Sequence, residues 1–225
     1  MTRQKGVAKR QTRGVIFDLD GTLIDSLEDI ARSMNRVLQA AGYPGHAIEA
    51  YRYFVGDGVR ALVERSLPGN GAHGEEIDPL VDKMRLQLAE NWRTHTQPYP
   101  GIVAMLEQLK SAVPNLAVLS NKPHSLTVAH VNQFFPDIPF SPVLGVSETV
   151  PPKPNLSGAN RILNQWCLDS HPIVYVGDTK TDMETAKAAG FYAVGVTWGF
   201  RTAEELLNHG ADVLIDHPSE LLAYC

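Results

Sequence analysis

The chain holds only two cysteines, Cys167 and Cys225, in 225 residues. That is too few for a disulfide framework, so free thiols and a cytoplasmic setting are expected. No apolar run approaches the ~20 residues needed to cross a bilayer. The first residues also lack the apolar segment of a secretory signal, so no membrane partner is expected. The eight histidines show no His-x-x-x-His or similar spacing, and no zinc site is read from them. There is no internal repeat and no low-complexity segment. Acid is absent from residues 1–13, which carry Arg3, Lys5, Lys9, Arg10 and Arg13. The net charge is nonetheless −5, so the rest of the chain is strongly acidic. An acidic body argues against a nucleic-acid partner. Residues 1–13 therefore read as a disordered, solvated basic leader.

What is present is a change of rhythm along the chain. Val15-Ile16-Phe17 is an apolar run that predicts a buried strand over 14–19. From 24 to 94 the pattern is helix and loop, with no convincing strand. Ser26 predicts a helix start with Asp29 as its capping-box acid. Leu27, Ile30, Ala31, Met34, Val37, Leu38 and Ala41 form one apolar face that Gly42 ends. A short helix over 47–54, a break at Gly56-Asp57-Gly58 and a helix over 59–67 follow. Pro68-Gly69-Asn70-Gly71 and Gly74 mark a loop. Asp78 and Pro79 read as an N-cap and first helical residue. Leu80, Val81, Met84, Leu88 and Trp92 line one side of the helix they begin. After Tyr99-Pro100-Gly101, helices over 102–110, 125–135, 155–166, 180–189 and 202–209 lead to strands over 116–119, 143–146, 173–176, 193–196 and 213–215. Such alternation predicts a parallel sheet with helices on both faces, and β-branched strands suit that burial. The fold class is α/β, a doubly wound Rossmann-like parallel sheet with an inserted all-helical segment. The core spans 14–23 and 95–225, and the insertion spans 24–94.

Ligands bind outside the carboxyl ends of strands in such sheets, and four of these ends carry polar motifs. At the first, Asp18 and Asp20 are two residues apart and project the same way, while Leu19 turns to the core. Gly21 allows a sharp turn there, and Thr22 adds a hydroxyl. Two acids forced together repel unless a cation or a proton intervenes, which is costly in a scaffold and useful in a site. At the second end, Ser120-Asn121-Lys122 offers a hydroxyl and backbone N–H groups to a phosphate oxygen. Lys153 is the third, its direction restricted by Pro152 and Pro154. The fourth is Gly177-Asp178-Thr179-Lys180-Thr181-Asp182; Asp178 and Asp182 also read as an N-cap and a first-turn acid. Clustered oxygens without a Cys or His set suit Mg²⁺. Trp198 and Phe200 read as core packing.

The pattern Asp18-x-Asp20-Gly21-Thr22-Leu23 after an apolar strand resembles the first motif of the haloacid-dehalogenase-like hydrolases. Ser120-Asn121, Lys153 and the Gly177–Asp182 segment resemble the other three, in order, over residues 14–217. The third departs from the family pattern at Asn155-Leu156, where a second proline is usual, and keeps its lysine. The resemblance implies a phosphatase with Asp18 as nucleophile and Asp20 as general acid and base. Ser120, Asn121 and Lys153 would bind phosphate. Mg²⁺ would be held by Asp18, the Asp20 carbonyl and Asp178, with Asp182 behind them. The insertion resembles the family's small helical cap. Val55–Arg65, Gly195–Gly199 and Ala211–Ile215 resemble segments of phosphoglycolate phosphatases in particular, which implies 2-phosphoglycolate as substrate. In the cap, Gly56 and Gly58 would present N–H groups to an anion, and Arg60 or Arg65 would bind its carboxylate. The same residues also read as a hinge turn and a solvated helix face. Alternatives are a phosphatase for another sugar phosphate or nucleotide, a phosphomutase, or a phospho-accepting signalling domain. The expected partner is a small phosphate ester, and the chain is expected to be a monomer or homodimer.

Overall fold

A computed structural model describes residues 12–69, 77–169 and 172–225. Val15, Ile16 and Phe17 are fully buried in strand β1 (Gly14–Phe17). β1 lies inside a six-stranded parallel sheet, between β4 (Leu116–Pro123) and β6 (Ile173–Gly177). β5 (Phe140–Val146) flanks β4; β7 (Tyr192–Val196) and β8 (Val213–Ile215) continue beyond β6. The register sets Val15 beside Leu116 on one side and Val174 on the other. Alternation along β1 divides the core. Val15 and Phe17 pack with helices α5 (Ile102–Ala112) and α6 (His124–Phe134). Ile16 packs with α7 (Ser157–Trp166), α8 (Lys180–Ala188) and α9 (Ala203–Asn208). The chain builds outward from β1 through β4 to β5, then returns to lay down β6, β7 and β8 on the other side. That reversal opens a crevice at the carboxyl end of β1.

The helices of residues 27–91 form a separate apolar cluster. α1 (Leu27–Ala40), α2 (Tyr51–Phe54), α3 (Val59–Ser66) and α4 (Asp78–Asn91) enclose Met34, Leu38, Tyr51, Val63, Ile77 and Met84. The expected α1 face is buried except for Ala41, which lies past the helix end and is exposed. Among the described residues of the sheet side, only Leu126 and Phe200 join this cluster as buried residues. Each fully buried side chain contributes about 1.5–3 kcal/mol, so apolar adhesion across the seam is far weaker than cohesion within either layer.

Several expectations shift. The stretch 24–94 does contain a strand: β2 (Ile24–Asp25) pairs antiparallel with β3 (Gln97–Pro98), where the chain leaves and re-enters the sheet layer. Two-residue strands carry too little pattern to read from sequence. β4 runs past Leu119 to Pro123, with an irregular register beyond Leu119; the apolar signal stops at 119 because the next three residues are polar. Ile77, not Asp78, is the N-cap of α4. Thr12 and Arg13, read as part of the leader, are held in the body: the Thr12 hydroxyl donates to Tyr224 O at 3.1 Å, and Arg13 N–H to Pro172 O at 3.0 Å. Residues 1–11, with the rest of the leader, and Asn70, Gly71 and Gly74 of the expected loop lie outside the described residues. Both cysteines are free, Cys167 exposed and Cys225 buried. Among the described residues, no helix is long and apolar enough to cross a membrane.

Asp29 forms no capping box. It is buried and accepts hydrogen bonds from His95 N, Thr96 N and the Thr96 hydroxyl at 2.7–3.0 Å, tying the base of α1 to the segment entering β3. Burial pushes its carboxyl up, but the bonds from His95 and Thr96 together outweigh it and leave the pKa below the ordinary value. Asp29→Asn is expected to cost about 3 kcal/mol at neutral pH, since it strands buried donors. With the folded pKa lowered, this stabilisation is complete above about pH 4 and lost as pH falls through the folded value. Denaturant unfolding of both proteins at pH 7 and pH 3 should show the gap narrowing in acid; a constant gap would contradict the assignment.

Candidate active site

Asp18 and Asp20 leave β1 together and enter different ion pairs. Asp18 Oδ1 lies 2.7 Å from Lys153 Nζ. Both Asp20 oxygens meet Lys122 Nζ, at 2.9 and 3.1 Å, and the Ser26 hydroxyl donates to Oδ1 at 2.5 Å. The turn closes on the Leu19 carbonyl, which accepts from the N–H groups of Thr22, Leu23 and Ile24. Gly21 takes φ +88°, and a Cβ there would fall 2.2 Å from an Asp178 oxygen. Ser26 thus caps no helix with its side chain; it serves Asp20 instead.

Asp178 follows β6 and is fully buried. The Thr22 hydroxyl donates to its Oδ1 at 3.0 Å and Phe200 N–H to its Oδ2 at 2.8 Å. The N-cap of α8 is Thr179, one residue later than expected. Thr179 donates its N–H and hydroxyl to Asp182 Oδ2 at 3.0 and 2.7 Å, fixing that carboxylate. Asp182 Oδ1 then holds Lys153 Nζ at 2.6 Å. The Lys153 ammonium therefore sits between Asp18 and Asp182.

The Asn121 side chain is already committed. Its Oδ1 accepts from Lys153 N–H at 2.7 Å; its Nδ2 donates to Lys153 O at 3.2 Å and to Gly56 O at 2.9 Å. The side chain is a strut between Lys153 and the helical layer, so the phosphate contact expected at Asn121 falls to its backbone N–H. Ser120 Oγ accepts from Lys122 N–H at 3.2 Å, which leaves its own proton to donate.

Oxygen atoms of Asp18, Asp178 and Asp182 lie within 4.8 Å of one another, all buried. Burial first, moderated by Lys153 and reinforced by Asp182, pushes the Asp18 carboxyl up to about 7. Burial and the charges of Asp18 and Asp182 push Asp178 well above its usual range. One ammonium cannot balance three buried acids, so the cluster holds protons unless a further cation is present. All-oxygen donors with surplus negative charge fit a divalent metal. Asp20 goes the other way: burial raises it, but the Lys122 charge, helped by His130 and Ser26, leaves it lowered.

Asp18, Asp20, Ser120 and Lys122 line the floor of a cavity of about 50 Å³, and Ile30, Val55, Gly56, Gly58, Val59, Leu62 and Leu88 line its wall. Arg60 and Arg65, expected as carboxylate binders, are corrected. Arg60 pairs with Asp78 at the surface, and Arg65 with Asp57 and the Phe54 carbonyl. Their long side chains reach nearby acids while staying hydrated. A residue missed in sequence is Arg201, which donates to the carbonyls of Arg52 and Val55, while Arg52 donates to Gly199 O at 2.8 Å. Thr181 completes this polar seam by donating to Asp57 at 2.7 Å. Lys122 was also missed as a site residue; its place two residues after Ser120, on the same side of a strand end, was the available signal.

Backbone packs tightly against Asp178. A Cβ at Gly199 would lie 2.2 Å from the Asp178 Cβ and 2.5 Å from Gly21 O. Gly199→Ala is expected to cost about 3 kcal/mol in denaturant unfolding, because overpacked backbone must move. Gly42→Ala, at φ +81° with open space around it, should cost only about 1 kcal/mol from its dihedral. Equal losses would remove the cradle argument.

Comparisons with known proteins converge on this site. The family model for haloacid dehalogenase-like hydrolases matches residues 15–196. The chain is 31% identical over 214 residues to phosphoglycolate phosphatase of Aliivibrio fischeri, covering 93% of this chain and 94% of that one. It is 31% identical over 216 residues to the Pseudomonas putida phosphoglycolate phosphatase, covering 95% and 79%. A crystal structure of a predicted phosphoglycolate phosphatase from Haemophilus somnus superposes with TM-score 0.87 at 27% identity, covering 96% and 98%. Four strand ends, the order of their motifs and these matches lead to one conclusion: the chain belongs to the haloacid dehalogenase-like hydrolase family.

Proposed function

We propose that the chain is a phosphatase that hydrolyses a small phosphate monoester, 2-phosphoglycolate, to glycolate and phosphate through an aspartyl-phosphate on Asp18. The observation that carries this reading is the paired arrangement at the end of β1: Asp18 on Lys153 and Asp20 on Lys122, both facing one cavity. An Asp18 oxygen bonds phosphorus as the ester P–O bond breaks, and that bond's electrons leave with the ester oxygen. Asp20 takes a proton from solvent as the anionic ester binds and gives it to that oxygen; it then takes one from the water that cleaves phospho-Asp18 and returns it to solvent as phosphate leaves, which restores both acids to their resting state. In the resting site Lys122 and Ser26 keep Asp20 ionised. The charge of an arriving phosphate and of the departing oxygen raises its proton affinity in turn. A dehalogenase would have no oxygen leaving group to protonate.

Lys153 and the Ser120 hydroxyl stabilise the equatorial oxygens. Asp182 holds Lys153 at its ammonium and Asn121 at its backbone, so this charge is preorganised. Asp18, the Asp20 carbonyl and Asp178 would hold Mg²⁺, which when bound neutralises the charge that nucleophile and phosphate bring together. Residues 24–94 act as a lid over a core of 14–23 and 95–225, a reading supported by the thin apolar seam and the β2–β3 joint. The substrate choice is supported by the activity for which the relatives are named. A cytoplasmic setting fits the two free thiols.

Phosphate release from a panel of esters tests the reading: 2-phosphoglycolate, sugar phosphates and nucleotides, each with Mg²⁺ and with EDTA. Turnover should be strongest on 2-phosphoglycolate, vanish in EDTA, and fall at least about 10³-fold in Asp18→Asn. Turnover spread over sugar phosphates would discard the substrate and keep the chemistry. Unimpaired Asp18→Asn would discard the nucleophile.

A further inference from the structure

Lys122 does more than pair with Asp20. Its side chain is 4% exposed and lines the cavity, and it is the one basic residue among the described residues that do so. Two of its three N–H donors go to the Asp20 oxygens. No described residue takes the third. The two arginines of α3 that might have supplied positive charge are turned onto Asp78 and Asp57. The rest of the cavity wall on the helical side is apolar: Ile30, Val55, Val59, Leu62 and Leu88. With Lys153 on the Asp18 side assigned to the phosphate, Lys122 is the cation that lines the space on the Asp20 side.

We infer that Lys122 is the specificity-determining residue that selects a phosphate ester whose leaving group carries a carboxylate. This rests on the phosphatase reading above and deepens it. If Asp20 protonates the leaving oxygen, that oxygen lies beside Asp20, whose carboxylate is 2.9–3.1 Å from Lys122 Nζ. In a 2-carboxymethyl ester the carboxyl carbon is two bonds of roughly 1.5 Å each from that oxygen. The free donor of Lys122 is therefore within reach of the carboxylate while Asp20 serves the ester oxygen. A carboxylate desolvated against Val55, Val59 and Leu62 is strongly disfavoured unless paired, and Lys122 pairs it.

The test compares 2-phosphoglycolate with 2-hydroxyethyl phosphate, an analogue of similar size whose leaving group is uncharged, using the full chain with Mg²⁺. Wild type should favour the carboxylate ester by about 10- to 100-fold in kcat/KM, the range of a charge-assisted hydrogen bond at tenfold per ~1.4 kcal/mol. In Lys122→Met that ratio should fall to near one, with KM for 2-phosphoglycolate rising most; Lys122→Arg should restore part of it. Loss of the Asp20 partner slows both esters alike, so the ratio, not the rate, reports recognition. A ratio unchanged in Lys122→Met, or near one in wild type, overturns the inference and leaves the phosphatase standing. Release of phosphate from neither ester by wild type would sink both. Glycolate inhibition gives a readout that needs no variant to fold: wild type should be inhibited competitively by glycolate and at least about tenfold less by ethylene glycol, and equal inhibition overturns the assignment.

Discussion

A buried ammonium between two buried carboxylates holds this site together. Lys153 Nζ stands 2.7 Å from Asp18 and 2.6 Å from Asp182. Burial alone would drive its proton off; Asp18 and Asp182 reverse that and hold it strongly charged. The Tyr175 ring lies 5.7 Å beneath it. Removing one partner from such a group costs about 3–5 kcal/mol, so the neighbouring structure exists largely to keep the three in place. Thr179 fixes Asp182, Asn121 fixes the Lys153 backbone, and β1 delivers Asp18.

This explains why Asp20 needs its own cation. Had Lys153 served both acids of β1, Asp18 and Asp20 would share one electrostatic fate. With Lys122 on Asp20, one acid is raised and its neighbour lowered, two residues apart. Different environments for like groups are the usual means of dividing acid and base roles.

The sheet was readable in the sequence because its strands are apolar, β-branched and separated by amphipathic helices. Asp18, Asp20, Ser120 and Asp178 were readable as site candidates because they follow apolar runs, Asp182 because it stands four residues past Asp178, and Lys153 because prolines flank it. What was not readable depends on reach. Asn121 and Asp29 looked like a ligand and a cap, since local spacing says nothing of Lys153, 32 residues away, or of His95, 66 away. Arg60 and Arg65 looked like anion binders because spacing cannot reveal that Asp78 and Asp57 stand closer. Arg201 carries no motif; its role comes from the carbonyls that α2 leaves unpaired at its end. The β2–β3 ribbon was too short to carry any pattern.

The Asn121 amide gives one hydrogen to Gly56, on the helical side, and its remaining bonds to Lys153, on the sheet side. The two layers therefore share one side chain beside the ammonium that faces Asp18. Lifting the helices would unhook one end of it and loosen the other. If the helical layer moves as the lid proposed above, its opening also slackens the charge at Asp18: an open door would be a slackened trigger.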